Sequence, residues 1–128
     1  MNLRSPLARA RGLGSAKSGV EHWWAQRWTA AALVPLALWF VIALIAQVGA
    51  GHDAAVAWIG HPVTAVLLVL LVAATFHHAQ LGLQVVIEDY VHTEWLKVSA
   101  IAVLKGVAIV LALIGIFSVL KIAFGAIA

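Results

Sequence analysis

Thr75–His92 reads TFHHAQLGLQVVIEDYVH, and its reading decides the fold. It continues a long apolar run from about Val63, takes in two adjacent histidines, and ends in two acids followed by a tyrosine. Ionisable side chains are rare in membrane helices and usually mark a use, because a charged or polar group in hydrocarbon is costly. On a helix His78, Gly82 and Asp89 fall near one face, by the periodicity that brings residues three and four apart together. His77 and His78 cannot share that face, since consecutive helical residues differ by about 100°. A histidine facing a glycine gap inside a membrane helix points to a flat cofactor lying against it.

Composition agrees with a membrane setting. Of 128 residues, 64% are hydrophobic and 10% charged, where a soluble domain carries about a quarter charged residues. The apolar residues come in long runs rather than periodic stripes, which is the signature of spans. There is no cysteine, so disulfides, cysteine zinc sites and iron–sulfur ligation are excluded on this chain. Any metal must be held by histidine or carboxylate. The net charge of +3 is concentrated before the first span and bears on topology and anionic lipid. Nothing reads as a nucleic-acid module.

The expected fold is an all-α membrane protein of three transmembrane helices, with a basic arm at 1–21 and an anchor domain at 22–128. The arm carries Arg4, Arg9, Arg11 and Lys17 and no acid before Glu21. Its three glycines and three serines within Met1–Gly19 make a free helix unfavourable. It reads either as an orientation signal or as a segment ordered by a soluble partner. Glu21–Trp28, EHWWAQRW, is an interfacial belt, because tryptophan settles at headgroup level. Spans follow at about 29–48, with Pro35 inside, at 63–87, and at 98–124. Gly49–Pro62 and Glu88–Lys97 are expected to be polar connections. Lys105 and Lys121 bracket a clean apolar core of 15 residues, too short for the roughly 20 that cross a bilayer. Both should therefore snorkel outward. Four cations in the arm ahead of the first span and none in the first loop place the N-terminus in the cytoplasm. Arg27, Asp89 and Tyr90 then lie on the cytoplasmic side.

Several side chains in this frame carry usable chemistry. A buried neutral imidazole is a common axial ligand for haem iron through Nε2; its ordinary alternative is a packed, hydrogen-bonded histidine. Two-histidine ligation needs a second imidazole, and His22, His52, His61 and His92 all fall in the arm, loops or interfaces. The second ligand is therefore expected from another chain. Arg27 can snorkel, or pair its guanidinium with a cofactor carboxylate. Tyr90 is an ordinary interfacial residue, or a donor to a quinone carbonyl with Asp89 orienting it.

The motif H-A-x-x-G-x(6)-D-Y-V from His78 to Val91 resembles the hydrophobic membrane anchor of succinate dehydrogenase, respiratory complex II. The opening SPLARARGLGSAKSGVEHWWAQRWTA is similar to the bacterial form related to the mitochondrial one. That resemblance implies His78 as the haem b iron ligand and Arg27 near the haem propionates. It implies Tyr90 in the ubiquinone pocket, with Asp89 beside it. It also implies a second, companion anchor chain supplying the other axial ligand, an iron–sulfur subunit, a flavoprotein subunit, and a place in the bacterial inner membrane. The chain itself shows no dicarboxylate site, flavin motif or cluster ligand, so succinate chemistry would belong to its partners. Rival readings are the anchor of a quinol:fumarate reductase, and a colourless proton-conducting or structural membrane subunit. The state of association of such complexes stays open, as do the roles of His77 and Lys105.

Overall fold

In the computed structural model, which describes residues 19–125 together with Leu7, every long element is helical. Within residues 19–125 four helices follow in order: α1 (Gly19–Ala46), α2 (Gly51–Gly60), α3 (Pro62–Tyr90) and α4 (Glu94–Gly125). Three of them, α1, α3 and α4, are long and apolar enough to cross a membrane, as expected. Arg4, Arg9, Arg11 and Lys17 of the basic arm lie outside the described residues.

The helices are longer than the expected spans, although α1 stops at Ala46, two residues short of its expected end. They hold 28, 29 and 32 residues, which is about 42 to 48 Å at about 1.5 Å per residue, against a hydrocarbon core of about 30 Å. Apolar runs mark only what lies in hydrocarbon. A helix ends instead where the backbone must change. After α1 the chain turns through Gly49 (φ 83°) and Gly51 (φ 74°), left-handed conformations that glycine adopts without strain. Pro62 then occupies the first turn of α3, where its missing N–H costs nothing. Val91, extended at φ −96° and ψ 106°, ends α3. The belt from Glu21 to Trp28 thus belongs to α1, and Glu88, Asp89 and Tyr90 belong to α3. Lys97 lies in α4 and pairs with Glu94 at 3.6 Å.

The expected loop at 49–62 is corrected most, since ten of its residues form α2. Its apolar stretch Ala54–Ile59 needs cover, and Trp58 stacks on Trp39 of α1 with ring centroids 6.3 Å apart. His52 and Asp53 face outward as a 3.3 Å pair.

The long helices form a layer with α3 in the middle. It packs on α1 along one side and on α4 along the other, and no Cα of α1 comes within 8 Å of one in α4 among the described residues. The apolar interior is thin. Ala65, Leu68, Leu81 and Ala123 are buried, and no large side chain is completely enclosed among the described residues. Val34, Phe117 and many others are well exposed. Such faces require lipid or other protein around them. α3 and α4 approach closely at Gly115, where an added Cβ would stand 3.0 Å from Cγ1 of Val72. Small residues allow such approach between membrane helices. Gly115→Leu is expected to lower the unfolding midpoint in detergent by an amount equivalent to about 1–3 kcal/mol of overpacking. Gly115→Ala should cost less, and equal melting of Gly115→Leu and wild type would refute this packing.

Candidate functional site

The middle position of α3 gives its two adjacent histidines different neighbours. His78 is half-buried and faces α1; His77 is exposed and faces the α4 side. This is the separation that consecutive helical positions demand.

On the α1 side, Nδ1 of His78 lies 3.0 Å from the Thr29 hydroxyl, and Nε2 lies 3.5 Å from the Gln26 amide nitrogen. Thr29 also reaches back to the carbonyl oxygens of Ala25 at 2.7 Å and Gln26 at 3.1 Å. Gly82 borders the same place, since a Cβ there would stand 3.6 Å from the Gln26 amide nitrogen. His78 and Gly82 therefore do share a face, and the side chain that enters the glycine gap is Gln26. Two polar atoms here are buried without a partner among the described residues, Oε1 of Gln26 and Nε2 of His22. Buried polar groups in a folded protein are normally satisfied, so orphans mark where another molecule or subunit belongs. His22, placed in the interfacial belt by sequence, is helical. At positions 22, 26 and 29 it shares one face of α1 with Gln26 and Thr29.

On the α4 side, His77 and Gln80 line a small cleft of ≈ 160 Å³ with Ala73, Phe76, Ala108 and Ala112. From Gln80 a ladder runs to the end of the helix. The Gln80 amide donates to Gln84 at 3.2 Å, and the Gln84 amide donates to Glu88 at 2.8 Å. Residues four apart stack on a helix, so these polar groups satisfy one another within α3. Lys105, an exposed residue of α4, makes no ion pair among the described residues.

The other expected site residues stand apart from His78. Arg27 is exposed, with its Cζ 5.3 Å from the centre of the Trp23 ring, a cation–π contact at the helix mouth. Tyr90 is 79% exposed at the end of α3, and Asp89 beside it is exposed too. From His78 to Tyr90 the helix rises about 18 Å at about 1.5 Å per residue. This chain thus builds one side of a histidine site and leaves the Tyr90 end open. Among the described residues, no three of His, Cys, Asp and Glu converge as a metal cluster. Gln26 and Thr29 were not found from sequence. Their signal was available, because His22, Gln26 and Thr29 repeat at spacings of four and three within an otherwise aromatic and apolar segment.

The donors on the α1 side suit haem. An imidazole sits inside a membrane helix beside a glycine; among the described residues its Nε2 has one long contact, and an orphaned amide oxygen is adjacent. Imidazole is a normal axial ligand of haem iron.

Comparison with known proteins agrees with the sequence motif. Residues 1–120 match the family described as succinate dehydrogenase/fumarate reductase transmembrane subunit. The succinate dehydrogenase hydrophobic membrane anchor subunit of Rickettsia bellii is 35% identical over 104 residues, covering 81% of this chain and 83% of that protein. The same subunit of Paracoccus denitrificans is 30% identical over 128 residues, covering 99% and 98%. That of Rickettsia conorii is 30% identical over 105 residues, covering 81% and 83%. No solved structure matches the chain.

Proposed function

The chain belongs to the succinate dehydrogenase/fumarate reductase transmembrane subunit family, and from that membership we propose that it anchors a succinate:ubiquinone oxidoreductase in the bacterial inner membrane. The observation that carries the reading is His78, an imidazole in the middle membrane helix beside Gly82. In this reading His78 would hold haem b through Nε2, and a companion anchor chain would supply the second imidazole. Arg27, at the mouth of α1, turns from Trp23 to the haem propionates, where a guanidinium binds carboxylate well. Bound there, haem would accept and pass on one electron at a time.

Succinate is oxidised to fumarate in a flavoprotein subunit, releasing two electrons and two protons. The electrons cross an iron–sulfur subunit, and ubiquinone takes up two electrons and two protons to become ubiquinol. This chain's part in that last step is at Tyr90. Its hydroxyl donates to a quinone carbonyl, with Asp89 orienting the donor. The open end of α3 supports this role, because Tyr90 is available to meet the docked subunits. The basic N-terminal arm lies on the same cytoplasmic side.

Purification of the tagged chain from its own membranes tests the whole reading. A flavoprotein, an iron–sulfur protein and a second small membrane protein should co-purify with a haem b spectrum. A colourless preparation without them would indicate a proton-conducting or structural role instead. Anchorage of a quinol:fumarate reductase is the nearer alternative, and the quinone in those membranes distinguishes it. The relatives named for succinate dehydrogenase favour the succinate direction.

A further inference from the structure

We propose that Thr29 is a positioning residue that fixes the tautomer of His78, holding the proton on Nδ1 so that Nε2 keeps its electron pair for iron. The inference rests on the reading of His78 as haem ligand and adds a residue from a different helix to it.

The argument is a count of protons. A threonine hydroxyl has one proton to donate and two lone pairs to accept with, and a backbone carbonyl can only accept. Thr29 Oγ1 stands 2.7 Å from the Ala25 carbonyl oxygen, the shorter of its two carbonyl contacts. This is the back-bond that threonine commonly makes within a helix, and it takes the hydroxyl proton. What Oγ1 then offers His78 at 3.0 Å is a lone pair. Nδ1 must be the donor across that contact. Neutral imidazole carries one N–H, so Nε2 is the bare nitrogen.

Gln26 points to the same assignment independently. Its amide nitrogen, which can only donate, is the group nearest Nε2, at 3.5 Å. One face of α1 thus presents an acceptor to Nδ1 and a donor to Nε2. The donor contact is long, and Gln26 Oε1 has no partner among the described residues. Gln26 is therefore held weakly and can yield Nε2, whereas Thr29 is anchored to its own helix backbone. Ligating histidines nearly always donate their second N–H to an outer partner, which sets ring orientation and raises ligand basicity. Thr29 is that partner.

Three variants of Thr29, with His78→Ala as the reference for haem loss and each purified within the whole complex, test this. Thr29→Val keeps the side-chain shape and removes the acceptor; Thr29→Ser keeps the acceptor. Thr29→Ala supplies the same comparison where valine is not incorporated. Transfer of haem to an excess of a haem-scavenging protein should be about 10- to 100-fold faster in Thr29→Val, the usual loss when an outer partner is removed. The haem midpoint potential should rise, because a less basic imidazole stabilises ferric iron less. Thr29→Ser should restore both. Wild-type release and potential in Thr29→Val, in a complex whose haem is lost in His78→Ala, would overturn the role of Thr29 alone. Retention of the haem b spectrum in His78→Ala would overturn the ligand reading and this inference together.

Discussion

Replacing His78 with alanine is expected to abolish the haem b spectrum of the assembled complex, while His77→Ala keeps it. The two substitutions remove the same side chain from neighbouring positions of one helix, so they control for one another. His78 is half-buried against Gln26 and Thr29 of α1, whereas His77 lies on the α4 side beside Gln80 and Ala108. A single haem cannot use both, because about 100° of helix separates them. If His78 holds the haem as proposed, its loss would remove the native haem b spectrum, and imidazole added in solution should restore part of it at the enlarged site. The measurement is the reduced-minus-oxidised difference spectrum, normalised to the amount of co-purified subunits. A full spectrum in His78→Ala would mean that iron is held elsewhere.

The second large effect is expected at Tyr90. Tyr90→Phe leaves ring and packing intact and deletes one hydroxyl. Reduction of ubiquinone by succinate should fall by about 10²-fold, the lower end of what a positioned proton donor contributes. Succinate oxidation with a soluble dye that takes electrons upstream should be unchanged. That split matters, because a defect in both assays would indicate poor assembly. Since Tyr90 is 79% exposed at the end of α3, its replacement should disturb the helix layer little. Haem content should likewise stay at the wild-type level, given the distance of about 18 Å along the helix at about 1.5 Å per residue. Unaltered ubiquinone reduction in Tyr90→Phe would remove this chain from the quinone site. Asp89→Asn should have a smaller effect in the same direction, because in the proposed site Asp89 would act on quinone only through Tyr90.

Much of the architecture was legible in the sequence. Three apolar runs announced three membrane helices, and the grouping of charge announced their ends in outline. The helix limits were less legible, because hydropathy reports solvent and says little of where backbone hydrogen bonding stops. Thus α1 begins at Gly19 and includes the whole tryptophan belt, and α3 runs on through Asp89 and Tyr90. α2 was missed for a related reason. Its ten residues are too few and too mixed to read as a span. They fold as a helix where Trp58 can dock on Trp39.

The sequence by itself determined the membrane class, the number of spans and the separation of His77 from His78, since hydropathy and the 3.6-residue period are local properties of the chain. Only the tertiary structure decided that α3 lies between α1 and α4, and hence that His78 meets Thr29 and Gln26 while His77 meets the cleft beside Ala108. The physical reason is that in hydrocarbon one apolar helix face is nearly as good as another. The choice of neighbours is made by close packing at small residues such as Gly115 and by a few interhelical polar contacts, neither of which has a period to read.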